Sequence, residues 1–577
     1  MAPRNINKRL RWLLKEGFFP AQVPPCFNTE KYSDLALEAI PNWIIDTKHK
    51  EYAYEKYSAP RVGHNRRPLA ITNPIPQLKL SQIICENWKE INKHFAKSKI
   101  SVSRPSFSST PGRSIKITPT HQLPDKKLIH SRGARYVLIS DISHFFPTIY
   151  THSIPWALHG KSIAKRNRSP NLFGNKLDAA VSECQRNQTA GIPIGPDTSH
   201  IISEIVGTSV DIFLREKLGK WPSGLRYVDD FYLFFEDYSE AVLALNKLNN
   251  SLSEFELKMN GSKTKIIPCE KLMEDAWTHS FSDYELSPDR IKQRRQITRY
   301  FDMAFSMAER EPEQNVMQFA IRKMQSEIIK KDNWPVFEAF LLRSALAYPN
   351  TIQDVALIAD TYLRYGYPLQ ISPRGWRGVI NNIICEHASA KHESEVSWAL
   401  WLAARMGVQI NGDAVTAIEQ SNLGSVPILL SLHLESIGKL KKRIDRNQLP
   451  EHSTFNSEHW LLCYEGSVQG WINHLDPNTK TQSGFSWLES KNIKFFDINR
   501  LPEPIFVWKE NTSLSDDDKN RILDSDEDLL EYFDFPELSD SYLNSRAYSS
   551  RHSDPDEDDD EDEEDEILWD LDDDIPY

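Results

Sequence analysis

The sequence predicts an α+β fold with a helical extension, and three observations carry that prediction. Between residues 136 and 270, short apolar strands run into acidic or Gly/Pro turns and alternate with helical runs. From about Pro288 to His474 the apolar residues recur at helical spacing, interrupted by Gly, Pro and Asn. From Arg551 onward the chain is almost wholly acidic. At 577 residues it has the length of two to four domains, with 40% apolar residues to fill their cores.

Taken in order, residues 1–60 form an N-terminal arm. Lys8-Arg9-Leu10-Arg11-Trp12-Leu13-Leu14-Lys15 reads as a basic amphipathic helix, broken by Gly17-Phe18-Phe19-Pro20 and followed by an extended Pro-rich stretch. Residues 61–135 are basic and rich in Ser and Pro, with Arg61, Arg66, Arg67, Arg104 and Arg113 as candidate phosphate ligands. A solvated basic surface is the competing reading for each. Residues 136–270 carry the strands and turns described below. Residues 288–474 suggest a helical array of the HEAT type without a strict period; its examples are Phe337–Leu342, Val355–Tyr365, Trp398–Met406 and Val426–Ile437. Basic clusters on it (Lys292, Arg294, Arg295; Lys439, Lys441, Lys442, Arg443, Arg446) fit either a nucleic-acid groove or solvated helix faces. Residues 475–550 are mixed, with short strands expected at Ile493–Phe496 and Ile505–Trp508.

Charge divides the chain. The net charge is −12, but residues 551–577 hold one Arg and 16 Asp/Glu and so carry −15, which leaves the first 550 residues at +3. A mildly basic body suits a nucleic-acid partner. The tail cannot build a core and reads as disordered and solubilising. Ile567-Leu568-Trp569 and Ile575-Pro576-Tyr577 interrupt it as apolar hooks, which also suits docking onto a basic groove. The six cysteines are scattered without a C-x-x-C pair, which argues against a disulfide framework and structural zinc. No secretory leader and no run of ~18 apolar residues is apparent, so the cytoplasm is the expected compartment, with no membrane partner.

The chemistry concentrates in four stretches. A strand from Arg135 ends at Asp141 and meets the Phe-rich turn Ser143-His144-Phe145-Phe146-Pro147. Gly191-Ile192-Pro193-Ile194-Gly195-Pro196 opens a helix-like run. Tyr227-Val228-Asp229-Asp230 lies between two strand-forming segments, and Asn260-Gly261-Ser262-Lys263-Thr264 precedes another. Adjacent carboxylates at a hairpin tip repel one another and invite a hard divalent cation. Alone, Asp229-Asp230 would be an ordinary surface turn. The ordered set of four resembles the palm motifs of reverse transcriptases. The leader G-F-F-P…P-P-x-F-x-T and the helical array resemble the abortive-infection and other defence-associated members in bacteria.

That resemblance implies a right-hand polymerase: fingers over 61–135, a ferredoxin-like palm over 136–270, and the helical array in the thumb's position. It implies RNA-directed DNA synthesis with two Mg²⁺ ions (Mn²⁺ as the alternative) held by Asp141 and Asp229, with Asp230 in support and the Ile142 carbonyl as a further ligand. Lys263 would protonate the leaving pyrophosphate, although a Lys on an exposed strand face is the plainer reading. Phe146 would lie beneath the sugar and exclude a 2′-hydroxyl, with core packing as its alternative. Gly195 would let the backbone approach a base, and Arg67 and Arg113 would grip phosphate. Ile194 departs from the Gln found there in many relatives and puts the template contact in doubt. The implied partners are dNTPs, an RNA template such as a noncoding RNA, the DNA product, a companion defence protein and further copies of the chain. Two rivals stand beside this reading: template-independent synthesis primed on a protein hydroxyl, and a non-catalytic RNA-binding scaffold.

Overall fold

In the computed structural model the described residues are 4–36, 51–63, 65–108, 112–272, 276–282, 284–450, 454–472, 484–509, 516–525 and 529–535. The acidic tail expected at 551–577 lies outside them. The basic N-terminal run forms α1 (Arg4–Glu16), whose Leu10, Leu13 and Leu14 are buried at i, i+3 and i+4. Two strands then pair antiparallel, β1 (Glu55–Pro60) and β2 (Arg66–Ile71), and lead into α2 (Pro74–Glu86). Asn73 caps α2 through its side chain, and Pro74 takes the first helical position, where its missing N–H costs nothing.

The central sheet has four antiparallel strands: β3 (Tyr136–Asp141), β4 (Ser223–Tyr227), β5 (Asp230–Phe235) and β6 (Lys265–Pro268), in the order β4-β5-β3-β6. α3 (Asp197–Leu218) and α4 (Tyr238–Ser253) run on one side of it. α4 rests on β3, β5 and β6, and α3 packs on α4. α3 ends at Gly219, which takes the left-handed conformation (φ 77°) that closes a helix without a Cβ penalty. The fold is α+β, with a polymerase-like palm sheet and a large helical domain, as the sequence pattern indicates.

The helical domain is a two-row array. One row is α5 (Arg290–Arg310), α7 (Trp334–Ala347), α9 (Trp376–Ser389) and α11 (Gly412–Gln420). The other is α6 (Val316–Lys323), α8 (Ile352–Arg364), α10 (Glu393–Met406), α12 (Ser425–Ser436) and α13 (Trp460–Val468). α10 is buried around nearly its whole circumference, because it lies between the first row and β1. Ion pairs link consecutive helices of this second row. Asp354 of α8 accepts from Arg322 and Gln318 of α6, and Asp360 of α8 accepts from Arg364 and from Arg405 of α10.

Position in the chain and position in space differ here. The array follows the palm as a thumb would, but it folds back onto the arm and the β1–β2 hairpin. Ser58 N–H donates to Glu393 at 2.9 Å, Trp398 Nε1 donates to Gln22 O at 2.8 Å, and Arg66 forms a two-pronged pair with Glu395. The basic cluster after α12 is also committed internally. Lys442 pairs with Glu419, Arg446 with Glu435, and Lys439 donates to Gly407 O, so these three serve the array's own turns rather than a groove. Ile493–Phe496 forms an isolated bridge to Phe27 instead of a strand, and Val507–Trp508 pairs with Phe533–Asp534.

Asp360→Ala should lower stability by about 2–4 kcal/mol, because it strips a fully buried carboxylate from two arginines. Chemical denaturation followed by far-UV circular dichroism reads this directly, and Asp302→Ala, on an exposed face of α5, should change nothing measurable.

Candidate active site

Three carboxylates meet where β3 ends and β5 begins. Asp141 and Asp230 are directly opposite one another in the antiparallel register, so their side chains share one face. Asp229 stands at the tip of the β4–β5 turn, and its carbonyl accepts from Ile142 N–H at 3.2 Å. That turn depends on Val228 in the left-handed region (φ 56°), an unfavourable conformation for a β-branched residue. Two groups hold it there: Val228 N–H donates to Ser103 Oγ at 2.8 Å, and Arg226 Nη1 donates to Val228 O at 2.9 Å.

Arg226 is fully buried, and so are its partners. It pairs with Glu204 and Asp211 of α3 at 2.9–3.0 Å, while Ser98 donates to Asp211, and Ser101 and Ser103 donate to Glu204. Gly207 leaves room for the guanidinium: a Cβ there would stand 2.8 Å from Nη1. None of Arg226, Glu204 or Asp211 stands in the four motifs. The available signal was two acids seven residues apart on the apolar stripe of a helix, which calls for a buried cation.

The electrostatics follow from crowding. Burial, then Asp230 and Asp141, push the Asp229 carboxyl up to about 6. Asp230 is raised for the same reasons, burial first and Asp141 second. Lys263 Nζ lies 2.5 Å from Asp141 Oδ2, and this bond raises its own pKa. Asn260 embraces Asp141 from the same loop, its N–H donating to Asp141 O at 2.8 Å. An ammonium group thus fills the place a cation would take, and the all-oxygen donor set fits hard divalent ions.

The other expected residues fall into two groups. Phe146 is half-buried, edge-on to Phe145 and His200 with centroids 5.7 Å apart, five residues from Asp141. Arg67 is exposed on β2 and feels the charge of Asp229. Ile142 is buried beside Asp141. Arg113 and Gly195 depart from expectation. Arg113 pairs with Asp197 and donates to Phe19 O and Gly195 O at 3.0 Å, so it staples the loop instead of presenting itself to phosphate. Gly195 (φ 133°) makes its close approach to the arm: a Cβ would meet Pro20 Cγ at 2.7 Å and Ala70 O at 3.3 Å. Ile194 O accepts from Ala70 N–H. Behind this loop is a cavity of about 270 Å³ between the arm, α10 and residues 500–505, and none of the three carboxylates lines it.

Residues 77–298 match the family model for reverse transcriptase (RNA-dependent DNA polymerase). No curated protein matches the chain. Among solved structures, apo telomerase from Candida tropicalis truncated from its C-terminal domain aligns at 14% identity, over 41% of this chain and 55% of that one, with a TM-score of 0.27. Apo telomerase from Candida tropicalis aligns at 10% identity over 59% and 71% (TM-score 0.31). Telomerase from Candida albicans in complex with a TWJ fragment of telomeric RNA aligns at 12% over 64% and 70% (TM-score 0.26). The chain therefore spans about half the length of the truncated telomerase. Residues 77–298 therefore carry a domain of the reverse transcriptase family. Such domains are generally dependent on divalent metal.

The raised Asp229 carboxyl sets a stability prediction. Its folded pKa of about 6 lies above the unfolded value, so its ionisation destabilises the fold as pH rises through that window. Asp229→Asn should stabilise the metal-free protein by about 1–2 kcal/mol at pH 8. The gain should fade as pH drops through 6 and vanish near 4, as read by melting curves across pH in chelator.

Proposed function

We propose that the chain as a whole is a DNA polymerase that copies RNA, with Asp141 and Asp229 holding two Mg²⁺ ions, assisted by Asp230 and the Ile142 carbonyl. The observation that carries this reading is the convergence of three carboxylates where β3 ends and β5 begins, with the Lys263 ammonium bonded to Asp141 and under the charge of the other two. The metals would supply a deprotonated 3′-hydroxyl and charge stabilisation on the leaving pyrophosphate. Asp141, which is buried, and Asp229, which is half-buried, would orient the reacting oxygens. Lys263 would give up its carboxylate partner when cations arrive and donate a proton to the departing pyrophosphate oxygen. Arg67, exposed and facing the site, would bind the triphosphate. Phe146 would lie under the sugar.

A role in bacterial antiphage defence is the finer proposal. It is supported by the leader pattern around Gly17–Pro20 and by the helical array that clasps it. Plaque counts on bacteria expressing the parent or Asp229→Ala test it: protection that survives the substitution overturns it.

A second reading has a specific observation in its favour. The Gly195 loop, where a template base would be approached, is covered by Pro20 and Ala70 of the same chain. This favours untemplated synthesis primed on a protein hydroxyl. Digestion of labelled product with proteinase should then change its mobility, and product that runs identically before and after returns the enzyme to ordinary priming.

Two substitutions test the site. Asp229→Ala should reduce dNTP incorporation by at least about 10³-fold with the fold retained, since a metal ligand supplies several kcal/mol of transition-state stabilisation. Phe146→Ala should lower the ratio of kcat/KM for dNTP over rNTP by roughly ten-fold or more, about 1.4 kcal/mol of lost discrimination. An unchanged ratio would place the ring in packing alone.

A further inference from the structure

His387, His392 and Glu395 converge at the turn between α9 and α10, far along the chain from the palm carboxylates. One ligand-capable atom from each lies within 4.8 Å of the others. His387 ends the apolar face of α9 and is buried, His392 is half-buried in the turn, and Glu395 is fully buried in the first turn of α10. The two rings face each other through Nδ1 atoms 2.9 Å apart, and His392 Nδ1 is 3.8 Å from Glu395 Oε1. Ligands of a tetrahedral ion with bonds of ~2.0–2.1 Å stand about 3.3 Å apart. The His387–His392 and His392–Glu395 separations bracket that value, and all three atoms lie within 4.8 Å of one another.

The Nδ1-to-Nδ1 contact is itself informative. It is a hydrogen bond only if one ring is the Nδ1–H tautomer and the other offers its lone pair, and it becomes repulsive once both are protonated. Burial lowers both rings' pKa, which keeps them neutral and able to bind metal. Arg66 is the obvious objection, since it already grips both oxygens of Glu395. A carboxylate offers about four lone-pair sites over two oxygens, however, and a two-pronged guanidinium occupies only two. Oε1 can therefore serve Arg66 and a metal at once, and Glu386, one residue before His387, adds negative charge felt at both rings.

We propose that His387, His392 and Glu395 form a site for a divalent transition metal of the zinc class, with a fourth position left to water. Two imidazoles and one carboxylate match the preference of zinc and cobalt rather than magnesium. The ion would fasten α9, α10 and, through Arg66, the β1–β2 hairpin that carries Arg67. The site is independent of the polymerase reading.

The test uses the full-length protein, stripped with chelator and titrated with Co²⁺. The parent should take up one equivalent that gives the strong visible absorption of four-coordinate cobalt, bleached by one equivalent of Zn²⁺. His392→Gln should lose that equivalent. Asp229→Asn should keep it, because the palm carboxylates offer only oxygen. Zinc should also raise the melting temperature of the parent by roughly 1–3 °C and leave His392→Gln unmoved. No four-coordinate spectrum in the parent, or the same spectrum in a folded His392→Gln, overturns the site. Should that variant fail to fold, the parent's spectrum and melting shift decide alone.

Discussion

The buried guanidinium of Arg226 is the interaction on which the acidic tip depends. Crowded carboxylates repel one another, and Val228 is held in a conformation its side chain disfavours. Both costs must be offset by contacts elsewhere. Arg226 supplies them by tying the strand before the turn to two acids of α3 and donating to the Val228 carbonyl. A buried triad of this kind contributes little net stability relative to an apolar replacement, but loss of one member leaves an unpaired charge worth about 3–5 kcal/mol. Its value here is positional: it fixes the height of the β4–β5 turn against α3, and hence where Asp229 stands relative to Asp141.

A second set of contacts sets the β1–β2 hairpin. β1 and β2 form an isolated two-stranded ribbon, which on its own is marginal in water. The array gives it a partner. Glu393 and Glu395 of α10 hold Ser58 and Arg66, Glu55 bonds the N-terminus of α12 at Ser425, and Trp460 of α13 donates to Ile71 O. Burial beside Glu55 pushes the Glu393 carboxyl up to about 7. The helical domain thus braces the β1–β2 hairpin.

Much of this was legible in the sequence. The palm strands announced themselves because apolar runs ended at Asp141 and at Tyr227-Val228-Asp229-Asp230, and the helices of the array showed their period. Asp141, Asp229, Asp230 and Lys263 do meet in space. The contacts Arg113 and Gly195 make were not legible: their partners, Phe19, Pro20 and Asp197, come from segments distant in the chain, and no local pattern encodes that proximity. The unusual φ of Val228 was likewise hidden, since valine's local preference is for a strand.

The arm's attachment has a consequence for how the chain is made. Phe18 and Tyr32 pack on Phe495, Phe27 packs on Phe496, Asn28 N–H donates to Phe495 O, and Arg500 pairs with Glu30. The arm is therefore completed by a segment synthesised more than 450 residues later, at about 5–20 residues per second. For tens of seconds the arm's aromatic side chains lack their Phe495 and Phe496 partners, whereas the Gly195 loop emerges after the Pro20 that covers it. Docking of residues 495–500 supplies the last of the arm's aromatic partners, and a nascent or prematurely terminated chain lacks that clasp.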